Sequence, residues 1–102
     1  KLLDILIEKK LDGYSIRLEG HTDDNPIKTE KFRSNWDLSG ARANTVAMML
    51  QEKGFEPQAL SVRSFGEFKP LLPNRNEAGE PIPENQAKNR RIVIKLVNDR
   101  AD

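Results

Sequence analysis

Between residues 14 and 66 the chain carries a strand, a polar loop, a helix and a second strand in direct succession. No other stretch restricts the fold as much. Tyr14, Ile16 and Leu18 alternate with Ser15, Arg17 and Glu19, the period of a strand with one face on a core. Gly20 is expected to end this strand and turn the backbone tightly. From His21 to Arg33 the chain is polar, and Pro26 forbids a central strand there. Ser34, Asn35 and Asp37 then start a helix: Ser34 and Asp37 have capping-box spacing, and Asn35 is an equally good cap. The helix is expected to reach about residue 53 and to bury Ala43, Val46, Ala47 and Leu50, with Leu38 and Met49 flanking. Gly54 suits its C-terminal cap, with Pro57 shortly beyond. Residues 60–66 read as the second strand. Two strands joined through one helix lie parallel, with a right-handed crossover.

The flanks add less. Leu3, Leu6, Ile7 and Leu11 have the spacing of a helix with one buried face, and Asp12 and Gly13 stop it. That helix has no N-cap and the chain no initial Met, so a domain of a longer protein is expected. Four prolines (Pro70, Pro73, Pro81, Pro83) keep residues 67–83 extended, and a loop of that length is functional or an excursion. Residues 84–89 allow one helical turn, 91–97 form the most apolar strand, and 98–102 should fray. If the last strand lies antiparallel beside the first, Asn89 and Arg90 come next to the loop at 21–24. The helix start at Asn35 points to the same rim, at the carboxyl ends of the parallel strands, where open α/β sheets bind ligands.

Composition removes several function classes. The 102 residues suffice for one domain burying roughly two-thirds of its unfolded surface. The absence of cysteine excludes thiolate metal sites, disulfides and a cysteine nucleophile. A formal net charge of +1, with acids and bases interspersed, gives no drive toward nucleic acid. Four Phe, one Trp and one Tyr make a poor base-stacking platform. No apolar run approaches the ~20 residues of a membrane span.

Within residues 20–43 a turn rich in carboxylates and an arginine flank one loop. An anionic wall facing a cationic one suits a ligand carrying both an ammonium and a carboxylate. It suggests a binding module, not an enzyme. Taken alone, Asp23 and Asp24 are ordinary Asx-turn residues and Arg42 an ordinary solvated helix residue.

Three blocks change that weighting: GHTD at 20–23, NWDLSGARA at 35–43 and NRR at 89–91. In this order and approximate spacing the chain resembles the OmpA-like C-terminal domain family, across most of its length. The longer loop after HTD and the SNWDLSGARA wording are most similar to the flagellar stator branch, MotB. The resemblance implies an α/β sandwich: a mixed parallel and antiparallel sheet with helices on one face. The family's first strand is expected to be missing, since the chain opens in what corresponds to the first helix. The loop 68–83 is longer than the family's.

It also implies non-covalent, non-catalytic binding of peptidoglycan, with no cofactor. Asp23 would accept hydrogen bonds from the ammonium of the diaminopimelate residue of the stem peptide, and Arg42 would hold its carboxylate. Asn35 and Arg90 would complete the pocket, with Thr22, Leu38 and Ser39 as secondary contacts. A guanidinium grips a carboxylate bidentately, and a helix N-terminus adds free N–H donors. The implied setting is a periplasmic, wall-anchoring domain behind an upstream membrane anchor, dimeric, with a stator partner subunit. An outer-membrane wall anchor is the alternative, a wall-peptide hydrolase or a protein-interaction domain using the proline-rich loop the remoter ones.

Three single residues complete the reading. His21 with Asp23 and Asp24 on one short loop makes a poor metal site, so His21 is expected to order the loop through its ring hydrogen bonds. Trp36 is expected as a packing anchor at the helix start, partly exposed toward the glycan. Met48 and Met49 are expected to pack within the helix face.

Overall fold

The computed structural model describes residues 14–98. The helix expected over residues 1–11 lies outside them, as does the end of the chain beyond 98. The described elements are strand β1 (Tyr14–His21), helix α1 (Asn35–Glu52), a 3-10 turn (Pro57–Ala59), strand β2 (Leu60–Gly66), helix α2 (Pro83–Asn89) and strand β3 (Arg91–Asn98). β1 is central: β2 pairs with it in parallel and β3 antiparallel. The mixed sheet and the crossover through α1 are as the pattern required. β3 places Arg91 opposite His21, which brings the segment before it to the end of β1.

The core lies between α1 and one face of the sheet. Ile16, Leu18, Ala43 and Leu50 are buried, and Val46, Ala47, Phe55, Leu60, Val62, Ile92 and Ile94 pack around them. The alternation in β1 therefore selects the covered face, though Tyr14, at the strand's start, stays 40% exposed. Met48 and Met49 are exposed instead of packed, since 100° per residue carries both away from the Ala43–Leu50 stripe.

Two local expectations need correction. Gly20 does not turn the chain: it is a paired strand residue, opposite Ser64 and Ile92. Its missing side chain serves packing, because a Cβ there would run into the Ser39 carbonyl on α1. Nor does Asn35 cap the helix. Ser34 is the N-cap, without a side-chain capping bond, and Asn35 is the first helical residue. Asp37 reaches back past Ser34 to accept from the Arg33 N–H at 3.0 Å, so the capping box is displaced by one residue. The other end is as expected. Gly54 has φ of 102°, its N–H donates to the Gln51 carbonyl at 3.0 Å, and the Phe55 N–H donates to Leu50 at 3.1 Å. This is the Schellman closure, with Phe55 packed on the core beside Leu50.

Candidate functional site

The rim at the carboxyl end of β1 gathers three segments: the loop after β1, the long loop after β2, and α2 with the start of β3. Asn89 fastens the second to the third. It is fully buried and uses its whole amide. Its Oδ1 accepts from the Leu71 and Leu72 N–H groups at 2.9 and 3.0 Å. Its Nδ2 donates to the Leu72 carbonyl and to Asn74 Oδ1, both at 2.8 Å. Four hydrogen bonds from this one side chain thus hold the proline-rich loop. Asp24 fastens the first segment to the others, accepting from Arg75 Nε at 2.8 Å and Gln86 Nε2 at 3.0 Å. Burial alone would raise its pKa, but those bonds outweigh it and hold the carboxyl below the usual range. Its role is to join loops, not to make a local turn.

Asp23 is buried beside it. Its Oδ2 accepts from Arg90 Nη1 at 2.6 Å, and its Oδ1 from the Asn25 N–H at 3.0 Å. Asn25 Nδ2 lies 3.4 Å from Oδ2. A carboxylate has about four acceptor positions, so these donors orient the group and leave room for about one more. Asn35 Nδ2 lies 3.4 Å from the Asp23 carbonyl, 3.1 Å from the Asn25 carbonyl and 3.1 Å from Glu67 Oε1. It therefore pins the loop to the head of α1. Arg42 is exposed and, among the described residues, makes no hydrogen bond or ion pair. It follows Asn35 by seven residues, two turns, so both lie on one side of α1, about 10 Å apart along its axis.

The structure thus brings Asp23, Asn35 and Arg90 together, and gives Arg90 to Asp23 as an ion-pair partner. Two of the secondary residues are structural. Ser39 is fully buried, its Oγ hydrogen-bonding with Ser64 and accepting from the Gly66 N–H at 3.0 Å. Thr22 is 2% exposed, and its hydroxyl donates to the Asp23 carbonyl at 2.7 Å. Leu38 is half-buried on α1. His21 turns away from the loop that follows it: it stacks on Phe65 with centroids 5.0 Å apart, a backbone hydrogen bond links its ring to Lys69, and its Nδ1 is buried without a hydrogen-bond partner. Among the described residues no group of three or more His, Cys, Asp or Glu is placed to hold a metal ion. Trp36 is half-exposed and stacks on Phe68 at 5.1 Å, in keeping with a partly exposed packing residue.

Sequence reasoning missed Glu67, Asn25 and the joining roles of Gln86 and Arg75. The one signal for Glu67 is its place directly after Gly66, whose φ of 58° ends β2 at this rim.

Comparison with known proteins agrees with this fold. Residues 1–94 match the OmpA family. Motility protein B of Bacillus subtilis is 33% identical over 84 residues, 81% of this chain and 30% of that protein. The crystal structure of the periplasmic domain of Helicobacter pylori MotB (residues 90–256) superposes with a TM-score of 0.77 at 32% identity, covering 95% of this chain and 56% of that one. The cell wall anchor of the T6SS from Pseudomonas aeruginosa superposes at 0.75 with 31% identity, over 95% of this chain and 61% of that one. The chain thus spans about a third of the length of the first curated relative. No helix among the described residues is long and apolar enough to cross a membrane.

Proposed function

The chain belongs to the OmpA family, and from that premise we propose that it is a non-catalytic anchor that holds a flagellar motor stator to peptidoglycan in the periplasm. The likeness to motility protein B favours the stator setting over an outer-membrane one. The observation that carries the reading is the oriented carboxylate at the rim, with a cation two turns along the adjoining helix. Asp23 is buried and held in place by Arg90 and Asn25, while Arg42 on the adjacent helix pairs with none of the described residues. The ligand is the free amino-acid end of a diaminopimelate stem peptide. Its ammonium takes the remaining acceptor position on Asp23, and its carboxylate takes the Arg42 guanidinium bidentately. Asn35 and Glu67 keep the loop closed on the helix, so Asp23 is set before the ligand arrives. No bond has to break. The whole protein would be dimeric, anchored in the membrane by other segments and paired with a stator partner subunit.

Calorimetric titration with a diaminopimelate stem peptide tests this, with a lysine stem peptide as control. Asp23→Ala and Arg42→Ala should each lose about ten- to a hundredfold in affinity. Because Arg42 holds no other described residue, Arg42→Ala should leave the melting temperature unchanged. Variants that bind as tightly as the parent would move the site elsewhere.

A further inference from the structure

The sheet face opposite α1 is not a neutral solvated surface. Alternate residues of the three strands place Arg17, Glu19 and His21 of β1 beside Arg63 and Phe65 of β2 and Arg91, Val93 and Lys95 of β3. With Lys69 they line a trough of about 490 Å³, within the size range of small-ligand sites. Five cations line it and one carboxylate, in a chain whose formal net charge is only +1.

That carboxylate is already shared. Glu19 is 4% exposed and lies 3.9 Å from Arg17 Nη1 and 3.4 Å from Lys95 Nζ. Among the described residues the other three cations form no ion pair with a carboxylate. Among the described residues Arg91 donates to the Asn89 and Lys69 carbonyls alone, at 3.2 and 3.3 Å. Among the described residues, the Arg63 and Lys69 side chains make no hydrogen bond or ion pair. The strain of this concentration registers on its neighbours. Burial lowers the pKa of Arg91, and burial followed by the Arg91 charge lowers that of His21. Arg91 is partly desolvated, and His21 is both partly desolvated and beside positive charge, which a bound anion would relieve.

We propose that this trough is a second ligand site, which takes a small soluble anion bearing phosphate groups. Three guanidinium forks favour tetrahedral oxyanions, which they bind bidentately from several directions. The stacked His21 and Phe65 rings and Val93 supply an apolar wall for the ester side of such a ligand. The site is separate from the rim: Arg90 and Arg91 are consecutive, and the first pairs with Asp23 while the second lines the trough.

The test titrates inorganic pyrophosphate into the whole chain at low ionic strength, followed by backbone amide shifts, with malonate as a carboxylate control. Saturable shifts at Val93, Lys95 and Arg63, stronger for pyrophosphate than for malonate, are expected. Arg63→Ala combined with Lys69→Ala removes two exposed side chains without described partners, so the fold should hold. It should weaken pyrophosphate at least about tenfold and leave stem-peptide affinity unchanged. Glu19→Gln should strengthen pyrophosphate binding. Absence of saturation, indifference to the double variant, equal response to malonate, or binding only to vesicles of phosphatidylglycerol and phosphatidylcholine in equal parts would each overturn the proposal.

Discussion

The two faces of β1 show how differently one strand treats its neighbours. Toward α1, Ile16 and Leu18 are sealed in an apolar layer, and Gly20 brings the helix backbone against the sheet. On the other side, Arg17, Glu19 and His21 sit among charged groups, with Glu19 and His21 as buried as the core residues. Burial is thus similar on both sides while the physics differs. One face is stabilised by area removed from water. The other holds charge in a partly desolvated trough, where pairing and solvation nearly cancel. A fold needs the first; the second is available for binding.

The sharpest way to break this contrast is Gly20→Ala. Its Cβ would meet backbone, which cannot rotate away, so α1 must move off the sheet. The expected loss is about 3 kcal/mol or more, read from urea melts. Adjacent residues give the next test. Leu18→Ala should cost about 3 kcal/mol, as a fully buried leucine does. Glu19→Gln, one residue on and equally hidden, should cost about 1 kcal/mol or less, because it removes two long ion pairs and leaves the shape intact. Equal losses would mean that the charged face is as structural as the core.

The smallest effect is pH-dependent. The folded-state pKa of His21 lies below its ordinary 6.5, through burial and then the Arg91 charge. As pH falls, the unfolded chain takes up the proton first. The contribution of His21 to stability is therefore complete above pH 6.5 and is lost as pH falls from 6.5 toward the folded-state value. Melting the parent and His21→Phe above and below pH 6.5 should show a fall in the parent that the variant lacks.

Much of the rim was legible in order and spacing. GHTD, NWDLSGARA and NRR fall at the ends of β1, the start of α1 and the start of β3, and antiparallel pairing of β3 with β1 brings them together. Asp23 and Arg90 do meet. Individual roles were less legible, because a side chain's task depends on what the fold sets opposite it. Asn35 has the chemistry of a cap, yet it ties down the loop because Asn25 and Glu67 lie within its reach. Gly20 reads locally as a turn, while its reason is the Ser39 carbonyl nineteen residues later. His21 belongs by sequence to the carboxylate loop, and the strand's period of two turns it to the other face.

The sequence by itself determined the elements and the parallel pairing of β1 with β2, and left the place of β3 conditional. Apolar period, helix stops and crossover handedness are local or nearly local, and they leave few arrangements that bury Leu18 and Leu50 together. Only the tertiary structure decided which polar groups hold one another: Asn89 with the loop at 71–74, Asp24 with Arg75 and Gln86, Asp23 with Arg90. It also decided that cations scattered along the whole chain should share one trough. Hydrogen bonds and ion pairs act over a few ångströms in space, and sequence separation carries no record of that distance.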